Sequence, residues 1–183
     1  MRSSSHLIPT ATMTTFRSSS RRAGMPRLVG TLLASATLLL ASARTASAQL
    51  TDTKALTVAA VKTMLSAAEA TAKQNNWNVS ITVVDAAGDL MGFLKLDGAS
   101  VGTVQISQGK ARTSARFGRP SKVYADRVLA DTLIFLSVDG LVSIQGGLPI
   151  MAGGRVIGAV GVSGATSAQD EQVAAAAIAA LKP

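Results

Sequence analysis

Basic side chains are concentrated between residues 110 and 127, where six Lys and Arg residues accompany a single acid, Asp126. The six are Lys110, Arg112, Arg116, Arg119, Lys122 and Arg127. Arg112 and Arg116 are four residues apart, so on a helix their guanidinium groups share one face and repel each other unless an anion lies between them. This pattern predicts that Lys110, Arg112, Arg116 and Arg119 bind a carboxylate or phosphate group of a ligand. A solvated basic face without a ligand would produce the same pattern.

The chain has no Cys, and its one histidine, His6, lies near the amino terminus. From Gln49 onward there is neither a thiolate nor an imidazole. Zinc sites built on Cys or His, Cys nucleophiles, Ser-His-Asp hydrolysis and a proximal His on haem are therefore excluded for this part of the chain.

Tyrosine and methionine are the remaining side chains that commonly bind a haem iron. Tyr124 is the only tyrosine, and tyrosinate can hold ferric haem, so Tyr124 is a candidate ligand-binding and metal-binding residue. Met91 is a weaker metal-binding candidate, beside Met64 and Met151. The alternatives are a surface role for Tyr124 among its basic neighbours, and core packing for Met64 and Met91.

Two adjacent acids, Asp170 and Glu171, are candidate catalytic residues together with Lys110, since a carboxylate or a lysine could act as an acid or base. They follow Ser167 at the spacing of a capping box, which predicts a helix that begins there. Acids in a first helical turn also complement the helix dipole, so this position has a structural explanation as well.

Glycine spacing excludes the standard nucleotide-binding loops. No two of the sixteen glycines are two residues apart, so G-x-G-x-x-G cannot occur, and Gly109-Lys110 lacks the rest of a P-loop. We therefore expect no nucleotide cofactor.

Charge is unevenly divided along the 183 residues. The net charge is +8, but six of the 18 basic residues lie in the first 48 positions, and all ten acids come later. The balance from Gln49 onward is 12 − 10 = +2. This small excess gives no support to nucleic-acid binding.

The first 48 residues have the pattern of an export signal. Arginines precede an apolar stretch over residues 28–41, and Ala46-Ser47-Ala48 is a typical cleavage site. Met25 could be the true start, since a signal beginning there has the usual length. The stretch is too short to span a bilayer, so we expect no stable membrane anchor and a periplasmic or secreted protein. Residues 49–183 then form a single domain.

The remaining pattern predicts the elements that position these side chains. A helix is expected from Thr51-Asp52 to about Lys73, and a hairpin over residues 79–96. A helix over 101–117 carries the basic run, and residues 123–141 are ambiguous between short helices and a strand. Short apolar runs around Gly153-Gly154 predict a second hairpin, followed by the helix after Ser167.

Five ordered motifs in this chain resemble those of the GlcG/HbpS haem-binding and haem-degrading family, whose domain is DUF336-like. They are Val83-Val84-Asp85-Ala86-Ala87-Gly88, the run from Phe93 to Asp97-Gly98, Lys110-Ala111, Gly146-Gly147-Leu148-Pro149-Ile150, and Gly158 to Gly164 followed by Gln169-Asp170-Glu171. The likeness covers nearly all of residues 50–182.

The resemblance implies an α/β (α+β) fold with a five-stranded, largely antiparallel sheet flanked by helices, similar to profilin. It also implies homo-oligomers and binding of haem or a related tetrapyrrole, in haem handling or in iron or redox stress. Haem would lie on apolar side chains near the hairpins, with Arg112, Arg116 or Arg119 neutralising its propionates. The alternatives are a haem-degrading or small-carboxylate-processing enzyme, and an accessory or sensor subunit of another exported protein. The absence of His and Cys favours a binding protein over an enzyme.

Overall fold

The computed structural model describes residues 53–181, and the predicted export signal lies outside them. The elements, in chain order, are α1 (Val58–Gln74), β1 (Ser80–Asp85), β2 (Leu90–Lys95), α2 (Gly102–Phe117), α3 (Lys122–Leu129), a 3-10 helix (Leu133–Ser137), β3 (Gly147–Ala152), β4 (Arg155–Ser163) and α4 (Ser167–Ala179). This order confirms the predicted succession of helix, hairpin, helices, hairpin and helix.

All strand pairs of the sheet are antiparallel, in the order β2-β1-β4-β3. Within residues 53–181 the sheet has four strands, so the expectation of five strands is wrong. The ambiguous stretch after residue 123 forms α3 and the 3-10 helix instead of an additional strand. The two predicted hairpins, β1-β2 and β3-β4, are confirmed.

Two helices begin at a different residue from the one that the sequence predicts. The cap of α1 is Thr57, whose hydroxyl accepts a hydrogen bond from the Ala60 amide at 3.2 Å, so the helix begins after the predicted Thr51-Asp52. The cap of α4 is Thr166, which forms a capping box with Gln169. Ser167 is already inside this helix, so the predicted cap was one residue late.

One face of the sheet packs against α1 and α4. Apolar side chains of β1 and β4 on this face, including Ile81, Val83, Val160 and Val162, are fully buried together with Met64 of α1. This face contains the main hydrophobic core.

The opposite face packs against α2 through small and hydroxyl side chains. Ser80 pairs with Thr103 at 2.7 Å, and Thr82 pairs with Ser107 at 2.9 Å, all four being buried. A Cβ at Gly161 would overlap the Ser107 carbonyl oxygen, so the helix approaches β4 as closely as glycine permits. This close contact fixes the position of α2, which holds Lys110, Arg112 and Arg116 of the predicted basic residues.

Candidate ligand-binding site

Lys110 and Asp170 form an ion pair in the interior of the domain. The Lys110 Nζ atom lies 2.8 Å from Asp170 Oδ2 and donates to the Val162 carbonyl at 2.9 Å. The two side chains are 1% and 3% exposed. The pair joins α2 to α4 beside Gly146, the residue before β3, which has a φ of +121° and where a Cβ would lie 2.8 Å from Lys110 Nζ. Only glycine therefore leaves room for the ammonium group.

Burial opposes both charges of this pair. It lowers the pKa of Lys110, while the hydrogen bond and the charge of Asp170 act against that change. Burial likewise raises the pKa of Asp170, against the hydrogen bonds from Lys110 and from the backbone of Ala165 and Gly164. Each group is stabilised in its charged form mainly by the other.

The predicted catalytic set of Lys110, Asp170 and Glu171 does not face solvent as a group. Lys110 and Asp170 are enclosed, so Lys110 does not lie on the surface with the predicted arginines. Glu171 is half-buried, and its Oε2 atom has no hydrogen-bond partner within the described residues. One lysine of the predicted basic run is therefore neutralised by an acid that lies 60 residues further along the chain.

The three predicted arginines lie nearer the surface. Arg116 is exposed and its Nε donates to the Ala87 carbonyl at 3.1 Å, in the turn between β1 and β2. Arg112 is half-buried beside the same turn, and Arg119 is exposed. The sequence pattern predicted that Arg116 binds a ligand anion. In the structure Arg116 binds the carbonyl of Ala87 instead. Whether an anion binds Arg112 or Arg119 stays a prediction.

Tyr124 is buried, with 7% of its surface exposed, so the expected surface role is wrong. Its ring makes edge contacts with Phe117 and Phe135, each at 5.4 Å between centroids. The Arg127 guanidinium lies 5.4 Å from the centre of the Phe135 ring. The aromatic neighbours explain why the side chain turns inward, and they enclose the ring of the candidate iron ligand.

Most of the exposed apolar side chains lie in one part of the chain. Of the eleven large hydrophobic residues exposed within the described residues, seven lie between residues 117 and 144. They are Phe117, Leu129, Leu133, Ile134, Leu136, Val138 and Ile144, and we call them the 117–144 surface. The run Leu133-Ile134-Phe135-Leu136 is the part of the sequence that indicates this surface. Because the periodicity of the run is ambiguous between helix and strand, the sequence did not predict that these side chains are exposed. Exposed apolar patches of this kind mark sites of interaction.

An apolar cavity of about 500 Å³ lies beside the β3-β4 hairpin, and we call it the hairpin cavity. Its lining includes Leu56, Ile150, Ile157, Ile178 and Leu181, with Met151 and Lys54 as the groups that can bind iron or an anion. Met151 is 51% exposed. The sequence did not predict the cavity or the presence of Lys54 in its lining, because the residues that line it come from three distant segments.

The other methionines fit their alternative interpretation as core residues. Met64 is fully buried, and Met91, the weak metal candidate, is half-buried against the main core. Within residues 53–181 no group of three or more His, Cys, Asp or Glu side chains is placed to hold a metal ion.

In the same range, no helix has the length and apolar character needed to cross a membrane.

Comparison with known proteins gives one consistent result. The family model described as "Haem degrading protein HbpS-like" matches residues 56–179. The chain is 41% identical to protein GlcG of Escherichia coli over 100 residues, which are 55% of this chain and 75% of GlcG. These findings confirm the family predicted from the five motifs.

Solved structures agree with this comparison. A crystal structure of a double mutant of Streptomyces reticuli HbpS superposes with a TM-score of 0.68 at 30% identity, covering 74% of this chain and 92% of that one. A structure of a PduOC–haem complex gives a TM-score of 0.65 at 26% identity, covering 70% and 96% of the two chains.

Proposed function

Because the chain belongs to the HbpS-like family, we propose that it binds haem or a related tetrapyrrole in the hairpin cavity. The similar PduOC structure is a haem complex, which supports a ligand of this class. The single observation that supports the location is an apolar cavity of about 500 Å³ that has a thioether and an ammonium group in its lining. Small-molecule sites are typically cavities of about 300–1,000 Å³ with few polar groups.

The residues of the hairpin cavity fit the parts of a haem. Leu56, Ile157 and Leu181 offer apolar contacts to the porphyrin faces. Met151 would hold the iron through its sulfur, and Lys54 would bind a propionate. Bound haem supplies an iron centre that changes between ferrous and ferric states. The protein's contribution is to bind and orient the ring and to keep water from its apolar faces.

Titration of the purified protein with hemin tests this proposal. We expect a saturable shift of the Soret absorption band at micromolar hemin concentration. The absence of such a shift would refute the proposal. In Met151→Leu, which conserves volume but removes the sulfur, the shift should change because the iron loses its ligand. Met91→Leu is the matched control, since Met91 lies outside the cavity, and it should titrate as the native protein does.

Iron-free protoporphyrin separates recognition of the ring from ligation of the iron. If Met151 ligates iron, hemin binds more tightly than protoporphyrin, and Met151→Leu abolishes the difference. Lys54→Met should weaken both ligands. If instead Arg112→Gln or Arg119→Gln weakens binding and Lys54→Met does not, the ligand lies on the basic face and the cavity is the wrong location.

The 117–144 surface supports a second function, assembly with another copy of this chain or with an exported partner. Phe117, Leu133 and Ile134 are large apolar side chains in contact with water, and burial of such residues stabilises subunit interfaces. Light scattering after chromatography tests this. We expect a homo-oligomer that Ile134→Asp dissociates and Val58→Asp, at an exposed apolar position of α1, does not. A native protein that is monomeric at micromolar concentration would overturn the assembly proposal.

Haem degradation is the enzymatic alternative, and the family description supports it. Of the three residues predicted to be catalytic, Lys110 and Asp170 are buried and bound to each other, so neither is free to exchange a proton with a ligand. Bound haem incubated with reductant and oxygen distinguishes the two activities. A stable Soret band indicates a binding protein, and loss of the band with release of iron indicates a degrading enzyme.

A further inference from the structure

A second cleft, of about 390 Å³, lies at the carboxyl end of α1, and we call it the Trp77 cleft. One wall is formed by the last turn of α1 and the residues that follow it, and the other by the end of β2. It shares no lining residue with the hairpin cavity. The side chains that matter for its chemistry are Glu69, Lys73, Trp77, Asn78, Lys95 and Asp97.

Trp77 is the aromatic residue in the lining of the cleft. It is the only tryptophan of the chain. The residue is half-buried, packs against the main core and is among the residues that line the cleft. Its backbone amide donates to the Ala72 carbonyl at 2.9 Å, which holds the chain against the end of α1. A tryptophan side chain can offer an apolar ring to a ligand, together with an N–H group that donates a hydrogen bond.

Polar groups of both kinds surround the indole. Lys73 is paired with Glu69 at 2.6 Å. Lys95 and Asp97 have no salt bridge or side-chain hydrogen bond within the described residues, although the charge of Asp97 acts on Lys73. The Asn78 amide lies over Gly98, whose Cβ would be 2.8 Å from Asn78 Nδ2. An ammonium, a carboxylate and an amide therefore offer both donors and acceptors.

The charges of the cleft cancel. Glu69 and Asp97 balance Lys73 and Lys95, so the cleft gives no electrostatic advantage to an ion of either sign. A ligand that exploits these groups has an apolar face for the indole and several hydroxyl groups at its edge. A neutral sugar ring has both features, because its C–H groups form the faces and its hydroxyls project around the rim.

We propose that the Trp77 cleft binds a neutral saccharide, with one ring face against the indole and its hydroxyls bonded to Asp97, Lys95 and Asn78. This site is separate from the proposed tetrapyrrole site and does not depend on it. The chain would then have two ligand sites of different chemistry, one apolar and one polar.

Emission of Trp77 in the full chain reports binding directly, because no other tryptophan contributes. The probes are methyl glucoside, cellobiose and diacetylchitobiose, with glucuronate and glucosamine as ring-matched charged controls. We expect a saturable change of emission with at least one neutral saccharide, and weaker binding of both charged sugars. Saturation-transfer NMR on the saccharide measures the same binding without the indole signal.

Variants locate the binding. Asp97→Asn should weaken the affinity about tenfold, because a hydrogen bond to a charged group is lost, and Lys95→Met should act in the same direction. Asp89→Asn and Lys62→Met make the same charge changes at exposed positions outside the cleft and should leave the affinity unchanged. Trp77→Phe should weaken binding in the NMR assay. If Trp77→Phe does not fold because Trp77 packs against the core, Asp97→Asn and Lys95→Met still test the proposal.

Three results would overturn the saccharide site. The first is no saturation with any of the neutral probes at tens of millimolar. The second is tighter binding of glucuronate or glucosamine than of methyl glucoside, which would refute the ligand class. The third is unchanged affinity in both Asp97→Asn and Lys95→Met, which would place the sugar elsewhere.

Discussion

Removing either member of the Lys110–Asp170 pair should destabilise the protein far more than removing both. In Asp170→Asn the Lys110 ammonium keeps the Val162 carbonyl but loses the carboxylate 2.8 Å away. In Lys110→Met the buried carboxylate keeps only its backbone donors, among them Ala165 at 3.0 Å. Breaking a buried pair in this way costs roughly 3–5 kcal/mol.

The double variant, Lys110→Met with Asp170→Asn, leaves no buried charge. The asparagine oxygen can still accept from the Ala165 amide, and the methionine fills most of the space of the lysine stem. Replacing a buried pair by uncharged groups of similar volume is often close to neutral. We therefore expect a coupling energy of about 3 kcal/mol or more, the double variant being more stable than either single one.

Urea denaturation followed by Trp77 emission measures these energies. The matched control is the exposed pair of Lys122 and Asp126, which is shorter, at 2.6 Å, yet should give a coupling of about 1 kcal/mol or less because it is solvated. If the two buried substitutions are additive, or if each costs less than about 1 kcal/mol, the reasoning from burial is refuted.

The pair also predicts how stability depends on pH. Burial raises the pKa of Asp170 above its unfolded value, so the folded protein holds this proton more tightly than the unfolded chain does. Its contribution to stability is present below the unfolded pKa and is lost as pH rises through the folded pKa. The Lys110→Met variant, in which Asp170 has lost the hydrogen bond and the charge that act against burial, should therefore regain stability, relative to the double variant, as pH falls through the raised pKa of Asp170. A difference in stability that does not change as pH is lowered would contradict this sign.

Three further predictions concern local contacts and processing. Gly146→Ala should lower the free energy of unfolding by roughly 2–5 kcal/mol, because a Cβ would meet Lys110 Nζ at a φ of +121°. The control Gly153→Ala, at a φ of +57° with open space around it, should lower it by only about 1 kcal/mol. Equal losses of stability in denaturation would refute the steric argument. Thr166→Ala should cost about 1 kcal/mol through loss of the α4 capping box, measured by thermal unfolding, and an unchanged melting temperature would count against the cap. Mass spectrometry of the exported protein should find Gln49 as the first residue, whereas an uncleaved chain in the cytoplasm would contradict export.

Local patterns predicted the elements well because each pattern depends on neighbours in sequence. The alternation of Val79, Ile81 and Val83 and the turn around Gly88 determine the first hairpin without any distant contact. The exposed 3-10 helix could not be predicted in this way, since its apolar run resembles both a buried strand and a helix.

The candidate site was predicted less well because its chemistry depends on contacts between distant residues. Lys110 and Arg116 have similar neighbours in sequence. Lys110 is nevertheless buried and bound to Asp170, whereas Arg116 is exposed and donates to the Ala87 carbonyl in a turn. Only the tertiary packing of α2 on the sheet separates these two outcomes. The hairpin cavity likewise brings Leu56 and Leu181 together from opposite ends of the described chain.

The buried hydroxyl pairs between β1 and α2 determine where the helix can lie. If α2 moved by one turn, about 5.4 Å, Ser107 would replace Thr103 opposite Ser80, and Ala111 would face Thr82. The Thr82 hydroxyl would then be buried without a partner, which costs about 1–3 kcal/mol. An interface of alanine and glycine alone would tolerate that sliding. The two pairs therefore fix the position of α2 along the sheet, and with it the position of Lys110 opposite Asp170.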